Sequence, residues 1–179
     1  SAASDVYKRQ LMSRYRPPSQ PAAPYITPQG RDRLMNELRH LSDTQRPEVT
    51  KALAEAAAEG DRSENAEYIY RKKQLREIDR RIRYLVKRLE VVKAVDKKPA
   101  DQSRIFFGAW VELEDLDAGG IEVYRLVGAD EIDIDRGWIS VDSPMAKALL
   151  KKQEGDQVIV SRPKGETCFE VSRVSYDPF

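Results

Sequence analysis

GDRSENAEYIYRKKQLREIDRRIRYLVKRLEVV, residues Gly60–Val92, decides the fold. Its apolar positions are Tyr68, Leu75, Ile78, Ile82, Leu85, Leu89 and Val92. From Leu75 onward the gaps alternate three and four, the repeat of a coiled-coil seam along one face of a helix. Gly60 supplies a left-handed stop for the helix before it. Asp61, with Glu64 three residues later, has the pattern of a capping box that opens the helix after it. About 30 residues at 1.5 Å per residue predict a rod of roughly 45 Å.

Upstream lies a partner for that seam. Thr27 and Pro28 form a start signal, an N-cap followed by proline at the first helical position. Leu34, Leu38 and Leu41 then recur at helical spacing, and Val49, Leu53 and Ala56 resume the stripe. Pro47 stands between the two runs and predicts a kink or local break. Two helices joined by a few residues run antiparallel. The expectation is a helical hairpin over residues 25–98 with its far end at Glu59–Asn65. Residues 1–24 read as a disordered leader: RYRPPSQPAAP (14–24) holds four of the ten prolines. The first eleven residues show no periodicity and are set apart as non-native, with Met12 the expected start.

Downstream of a polar linker, Lys97–Ser103, the pattern changes. RIFFGAWVELEDL and IEVYRLVGA alternate partly and carry β-branched and aromatic residues, with a turn signal, Asp117–Gly120, between them. WISVD is a further short strand, and Ser143-Pro144 starts a helix expected to end at Gly155. DQVIVSR and TCFEVSRVSY complete a small antiparallel sheet with one short helix. The whole is α+β, with residues 104–179 as the second domain.

Composition narrows the function. Of 179 residues, 34% are charged, which suits a chain with an extended, solvent-washed helical part, while the net charge of +1 points to no partner in bulk. A single cysteine, Cys168, forms no internal disulfide and implies a reducing compartment. There is neither a run of about 18 apolar residues nor a signal-peptide core at Ser1–Gln10, so the cytoplasm is expected. No phosphate-binding glycine loop, GxSxG or cysteine pair occurs, and the lone histidine, His40, sits among polar residues. A self-contained enzyme is not expected.

Charge is distributed unevenly along the hairpin. Between Arg71 and Lys98 twelve bases (71, 72, 73, 76, 80, 81, 83, 87, 88, 93, 97 and 98) face four acids, Glu77, Asp79, Glu90 and Asp96. From Glu55 to Glu67 five acids face one base, Arg62. A basic shaft favours a phosphate backbone nearby, though a solvated face with i,i+4 pairs reads equally well from charge alone. At the tip, Asp61 and Glu64 satisfy a capping box, or supply two anionic ligands to a metal. Two carboxylates are too few to hold Mg²⁺ alone, and a helix N-terminus opposes a cation, so such a metal must be shared with other negative ligands.

The tip, GDRSENAEY (Gly60–Tyr68), resembles the signature of the Gre transcript-cleavage factors, and YRKKQLREIDRRIRYL (Tyr70–Leu85) is closer to their GreB branch. FFGAWVELED (Phe106–Asp115) and ISVDSPMAKALLKKQEGD (Ile139–Asp156) resemble the C-terminal domain of the same branch. The resemblance spans residues 25–178. It implies a coiled-coil hairpin followed by an FKBP-like domain that docks on RNA polymerase. It further implies that the hairpin enters the secondary channel and helps polymerase cleave backtracked nascent RNA, without being an enzyme itself. On that resemblance Asp61 and Glu64 help hold a second Mg²⁺, and Gly60, Ser63 and Asn65 shape the tip. Arg71, Lys72, Lys73, Arg76 and Arg80 face extruded RNA, and Asp142, Ser143 and Pro144 dock on polymerase. A monomer is expected, because the hairpin buries its own seam. Three rivals stand beside this reading: a channel regulator without cleavage activity, an FKBP-like isomerase adaptor, and a nonspecific RNA-binding hairpin.

Overall fold

The computed structural model describes residues 20–60 and 65–179. Thr27 opens the first helix, α1 (Pro28–His40): in extended conformation, it turns its hydroxyl to accept the Gly30 N–H, and Pro28 occupies the first turn, where no donor is missed. A π-helical segment, Leu41–Gln45, follows, with the Arg46 N–H bonded to Leu41 O five residues back. Helix α2 (Arg46–Ala58) begins there with Pro47 in its first turn. Proline has no N–H, and its ring crowds the carbonyl four residues earlier. The wider π turn takes up that conflict, so the expected break is a change of helical register in one continuous leg.

The second leg is α3 (Ala66–Val91). Its 26 residues at 1.5 Å make an arm of about 39 Å. Ile78, Leu85 and Val92, seven apart, are buried, and Leu75, Ile82 and Leu89, also seven apart, pack partly buried beside them against Leu34, Leu41 and Val49. That is the two-position seam of a heptad. Cross-links fix the legs as antiparallel. Arg81 grips Glu37 with two bonds of 2.6 and 2.9 Å, Arg46 pairs with Asp79 at 2.8 Å, and Asn65 reaches Ala56.

At the base a two-residue strand, β1 (Tyr25–Ile26), pairs in parallel with β2 (Lys93–Ala94). The sequence placed residues up to Pro24 in the leader, but Ala23 packs on the body core, and the Ala23 and Pro24 carbonyls accept from Arg88 (2.8 Å) and the Lys93 N–H (2.7 Å). These bonds tie the segment down despite its proline-rich composition. Residues 1–19 lie outside the described residues.

The body is a five-stranded sheet in the order β5-β4-β3-β7-β6. Its strands are β3 (Trp110–Asp115), β4 (Ile121–Val127), β5 (Trp138–Ser140), β6 (Gln157–Arg162) and β7 (Gly165–Ser175). Three pairings are antiparallel, but β4 and β5 run parallel, which corrects the purely antiparallel expectation. The connection 128–137 carries the chain back across the end of β4, and it also grips the arm. Helix α4 (Pro144–Leu149) starts at Ser143 as expected but stops well before Gly155. Lys151, at φ 69°, turns the chain so that its N–H reaches Ile105 O at 2.7 Å. Phe169, Leu113, Leu126, Leu149, Ile105, Val111 and Val171 fill the core beneath α4. The α+β architecture, helical hairpin then small sheet with one short helix, is the one the sequence implies.

Candidate functional site

The far end of the arm is built around one amide. Asn65 is the N-cap of α3, with φ −85° and ψ 98°, and its Oδ1 accepts the Tyr68 N–H at 3.1 Å. Its Nδ2 donates to Ala56 O, near the end of α2, at 2.6 Å. A single side chain thus satisfies an orphan donor of one helix and an end carbonyl of the other, latching the legs together. The sequence assigned the cap to Asp61 and opened the helix there. That is corrected: α3 begins at Ala66, and Asn65 is its cap, its amide carrying a donor for the Ala56 carbonyl that a carboxylate lacks. Asp61, Ser63 and Glu64 lie outside the described residues; Gly60, at φ 151° in a conformation that favours glycine, and Asn65 flank them. Among the described residues, no three His, Cys, Asp or Glu side chains gather into a possible metal site.

The acids near the tip are partly spent. Glu67 pairs with Arg71 at 2.7 Å and Glu55 with Lys51 at 4.0 Å, whereas exposed Glu59 has no base within reach among the described residues.

The bases of α3 sort by face. Arg71 is half-buried, neutralised by Glu67 and bonded to Gln74, so it turns away from the face where Lys72, Lys73, Arg76 and Arg80 are exposed. Those four have no acid within ion-pair distance among the described residues. At 100° per residue they share an arc of about 100° with Arg83 and Lys87, opposite the buried seam. From Ile69 to Lys87 that arc carries no acid. Arg83 and Lys87, left out of the sequence-based patch, extend it toward the body; the 4-4-3-4 spacing of 72, 76, 80, 83 and 87 was the available signal. Lys72 lies over the Tyr68 ring at 5.6 Å, and Ile69 and Tyr70 are exposed beside it, so apolar surface is interleaved with charge near the tip.

On the body, the Asp142-Ser143-Pro144 corner does two jobs. Ser143 caps α4 by accepting the Ala146 N–H at 3.2 Å, with exposed Pro144 in the first turn. Asp142 is exposed, yet its carboxylate accepts the Ala23 N–H at 2.8 Å, so it also holds the entering chain. Beside it opens a mostly apolar groove lined by Tyr124, Ile139, Pro144, Met145, Val160 and Pro163. Arg162 grips Glu122 with two bonds of 3.2 and 2.5 Å, and Glu122 also accepts from the Tyr124 hydroxyl. The Arg162 guanidinium holds the Glu122 carboxyl below its usual range, while burial, then the bond to Glu122, pushes the Tyr124 phenol up to about 12. His40 is exposed and stands apart from both regions.

Comparison with known proteins covers both halves. Residues 24–93 match the model of a family described as transcription elongation factor, N-terminal, and residues 100–176 that of transcription elongation factor, GreA/GreB, C-term. The chain is 58% identical to transcription elongation factor GreB of Xanthomonas axonopodis pv. citri over 92% of its length and 98% of the relative's. It is 54% identical to transcription elongation factor GreB of Pseudomonas aeruginosa over 93% and 99% of the two lengths. Among solved structures it resembles GreA factor homolog 1 of Thermus thermophilus, at 30% identity over 84% of this chain and 97% of that one, with a TM-score of 0.38.

Proposed function

The chain belongs to the GreA/GreB family of transcription elongation factors, and from that premise we propose that it reaches into RNA polymerase with its arm and stimulates cleavage of backtracked nascent RNA. The family is not itself catalytic, so the bond-breaking chemistry belongs to polymerase.

The observation that carries this reading is the identity of the cap. Because Asn65 caps α3, opening that helix does not call on Asp61 or Glu64, which supports reading both carboxylates of the tip motif as anionic ligands. Polymerase's own carboxylates grip one metal firmly and a second weakly. Asp61 and Glu64 add negative oxygens beside the weak position and raise its occupancy. A second Mg²⁺ held with the help of these two carboxylates would supply electrostatic stabilisation for a phosphodiester displacement. Either carboxylate can also accept a proton from the attacking water or orient it. The cationic arc of Lys72, Lys73, Arg76, Arg80, Arg83 and Lys87 lies along the route of an extruded RNA end and attracts its phosphates. Asn65 holds the two legs in register so that the tip is presented as one unit.

The Asp142-Ser143-Pro144 corner, with the apolar groove beside it, is the surface offered to polymerase. The arm buries its own seam, which supports a monomer. No helix among the described residues is long and apolar enough to cross a membrane, in keeping with a partner in the cytoplasm.

A nascent-RNA cleavage assay on a backtracked complex tests the assignment. Asp61→Ala and Glu64→Ala should each abolish stimulation while polymerase binding persists. Unchanged stimulation in both variants would overturn the assignment of the tip, whereas a native chain that binds polymerase without stimulating cleavage would be a channel regulator instead.

A further inference from the structure

We propose that the adjacent carboxylates Asp130 and Glu131 are positioning residues that clamp both legs of the arm at its base and thereby fix where the tip arrives. Both lie in the loop that follows β4, directly after the buried residues Leu126 and Val127, so the clamp is anchored in the body core.

Glu131, 1% exposed, holds the start of the first leg. Its Oε2 accepts the N–H groups of Thr27 and Gly128, each at 3.0 Å, and its Oε1 accepts the Thr27 hydroxyl. That hydroxyl oxygen in turn accepts the Gly30 N–H at 3.0 Å, so the carboxylate is coupled through Thr27 to the N-terminus of α1. The approach is too close for any side chain at Gly30: a Cβ there would lie 2.1 Å from Glu131 Oε1. Asp130 holds the end of the second leg. Its Oδ2 accepts from Arg88 Nε at 2.6 Å, with the two side chains 5% and 8% exposed, and its Oδ1 accepts from the Tyr84 hydroxyl. Arg88 Nη2 goes on to Ala23 O at 2.8 Å, and Arg33 of the first leg reaches Asp130 O at 3.4 Å.

Directional bonds to buried charges resist sliding in a way that an apolar contact does not. The lever explains why that matters. Arg88 and Asn65 are separated by 23 residues of helix, about 35 Å, so a 5° rotation at the clamp moves the tip by about 3 Å. A misplacement of 1 Å can cost a reaction about a hundredfold. The clamp therefore sets how fast a docked factor promotes cleavage, and leaves untouched how tightly it docks.

This inference rests on the proposed function for its kinetic consequence but not for its geometric one, and the test separates them. Residual dipolar couplings are measured on the full free chain, native and Asp130→Ala. The native arm and body should share one alignment tensor; the variant should need two, with amide shifts in β3, β6 and β7 unchanged. In the cleavage assay Asp130→Ala should lower the maximal rate at saturating factor about tenfold, with the half-saturating concentration held within twofold. Asp130→Asn, which keeps bonding groups toward both Tyr84 and Arg88, should recover most of both losses. Should Asp130→Ala prove unable to fold, Gly30→Ala attacks the clamp from the arm side and should give the same two tensors. A native chain that needs two tensors, or a variant that keeps one, overturns the clamp. So does a loss of cleavage that appears only as weaker docking. A native chain that never stimulates cleavage would sink the proposed function and leave the tensor result standing.

Discussion

Replacing Asn65 by alanine removes both bonds of the amide that joins the legs at the tip. Loss of a side-chain N-cap costs about 1 kcal/mol. Loss of the bond to Ala56 O costs less, about 0.5 kcal/mol, because that carbonyl keeps the Glu59 N–H at 3.3 Å. The sum, about 1.5 kcal/mol, corresponds to about a tenfold rise in the population of locally opened tip. Hydrogen exchange at the Tyr68 amide reads this directly, because that N–H donates to Asn65 Oδ1. Its rate, corrected for intrinsic exchange, should rise about tenfold in Asn65→Ala. Asn65→Asp separates the two bonds. Aspartate still accepts the Tyr68 N–H and places its charge where the helix dipole favours it, but it offers no donor to Ala56. Exchange at Tyr68 should therefore rise only two- to threefold, roughly what 0.5 kcal/mol allows. Equal exchange in native and alanine proteins, or an aspartate variant as open as the alanine one, would refute the latch.

Other consequences follow from the same contacts. Gly30→Ala should destabilise the protein by about 1–3 kcal/mol in a denaturant melt, although alanine in a helix normally stabilises, because its Cβ would strike Glu131 Oε1. The Tyr124 phenol is raised to about 12 by burial and by Glu122, so its contribution to stability is complete below the unfolded value near 10 and disappears as pH rises through 12. Denaturation midpoints should fall over that window, and fall less steeply in Tyr124→Phe. Arg83→Glu with Lys87→Glu should slow cleavage of long extruded ends more than of short ones and weaken the salt dependence of that cleavage; equal effects on both lengths would remove those residues from the RNA path.

The seam of α3 could be read in advance because a heptad is a local pattern, and Thr27-Pro28 and Ser143-Pro144 could be read because a cap bonds an amide three residues away. The cap of α3 was misassigned for the same reason. Asp61 and Asn65 both precede the apolar run, and the partner that distinguishes them, Ala56 O, belongs to another helix. Pro47 signalled trouble but not its resolution, since the π segment lies before the proline. The parallel pairing of β4 with β5, the short pairing of β1 with β2, and the grip of Asp130 and Glu131 on residues about a hundred or about forty positions away are contacts of the folded chain with no local signature. The same holds for Ala23, ordered by Asp142 across 119 residues despite its proline-rich setting. Asp61 and Glu64 stand out by motif alone, because the tip signature is contiguous in sequence.

The most direct test is the Mg²⁺ dependence of cleavage on a backtracked polymerase complex. Native chain is compared with an Asp61→Asn, Glu64→Gln double variant at equal occupancy of polymerase. Native chain should reach half-maximal cleavage at about tenfold lower Mg²⁺ than the variant, whose rate should fall to that of polymerase alone. Superimposable Mg²⁺ curves would show that the tip carboxylates do not help hold the second ion.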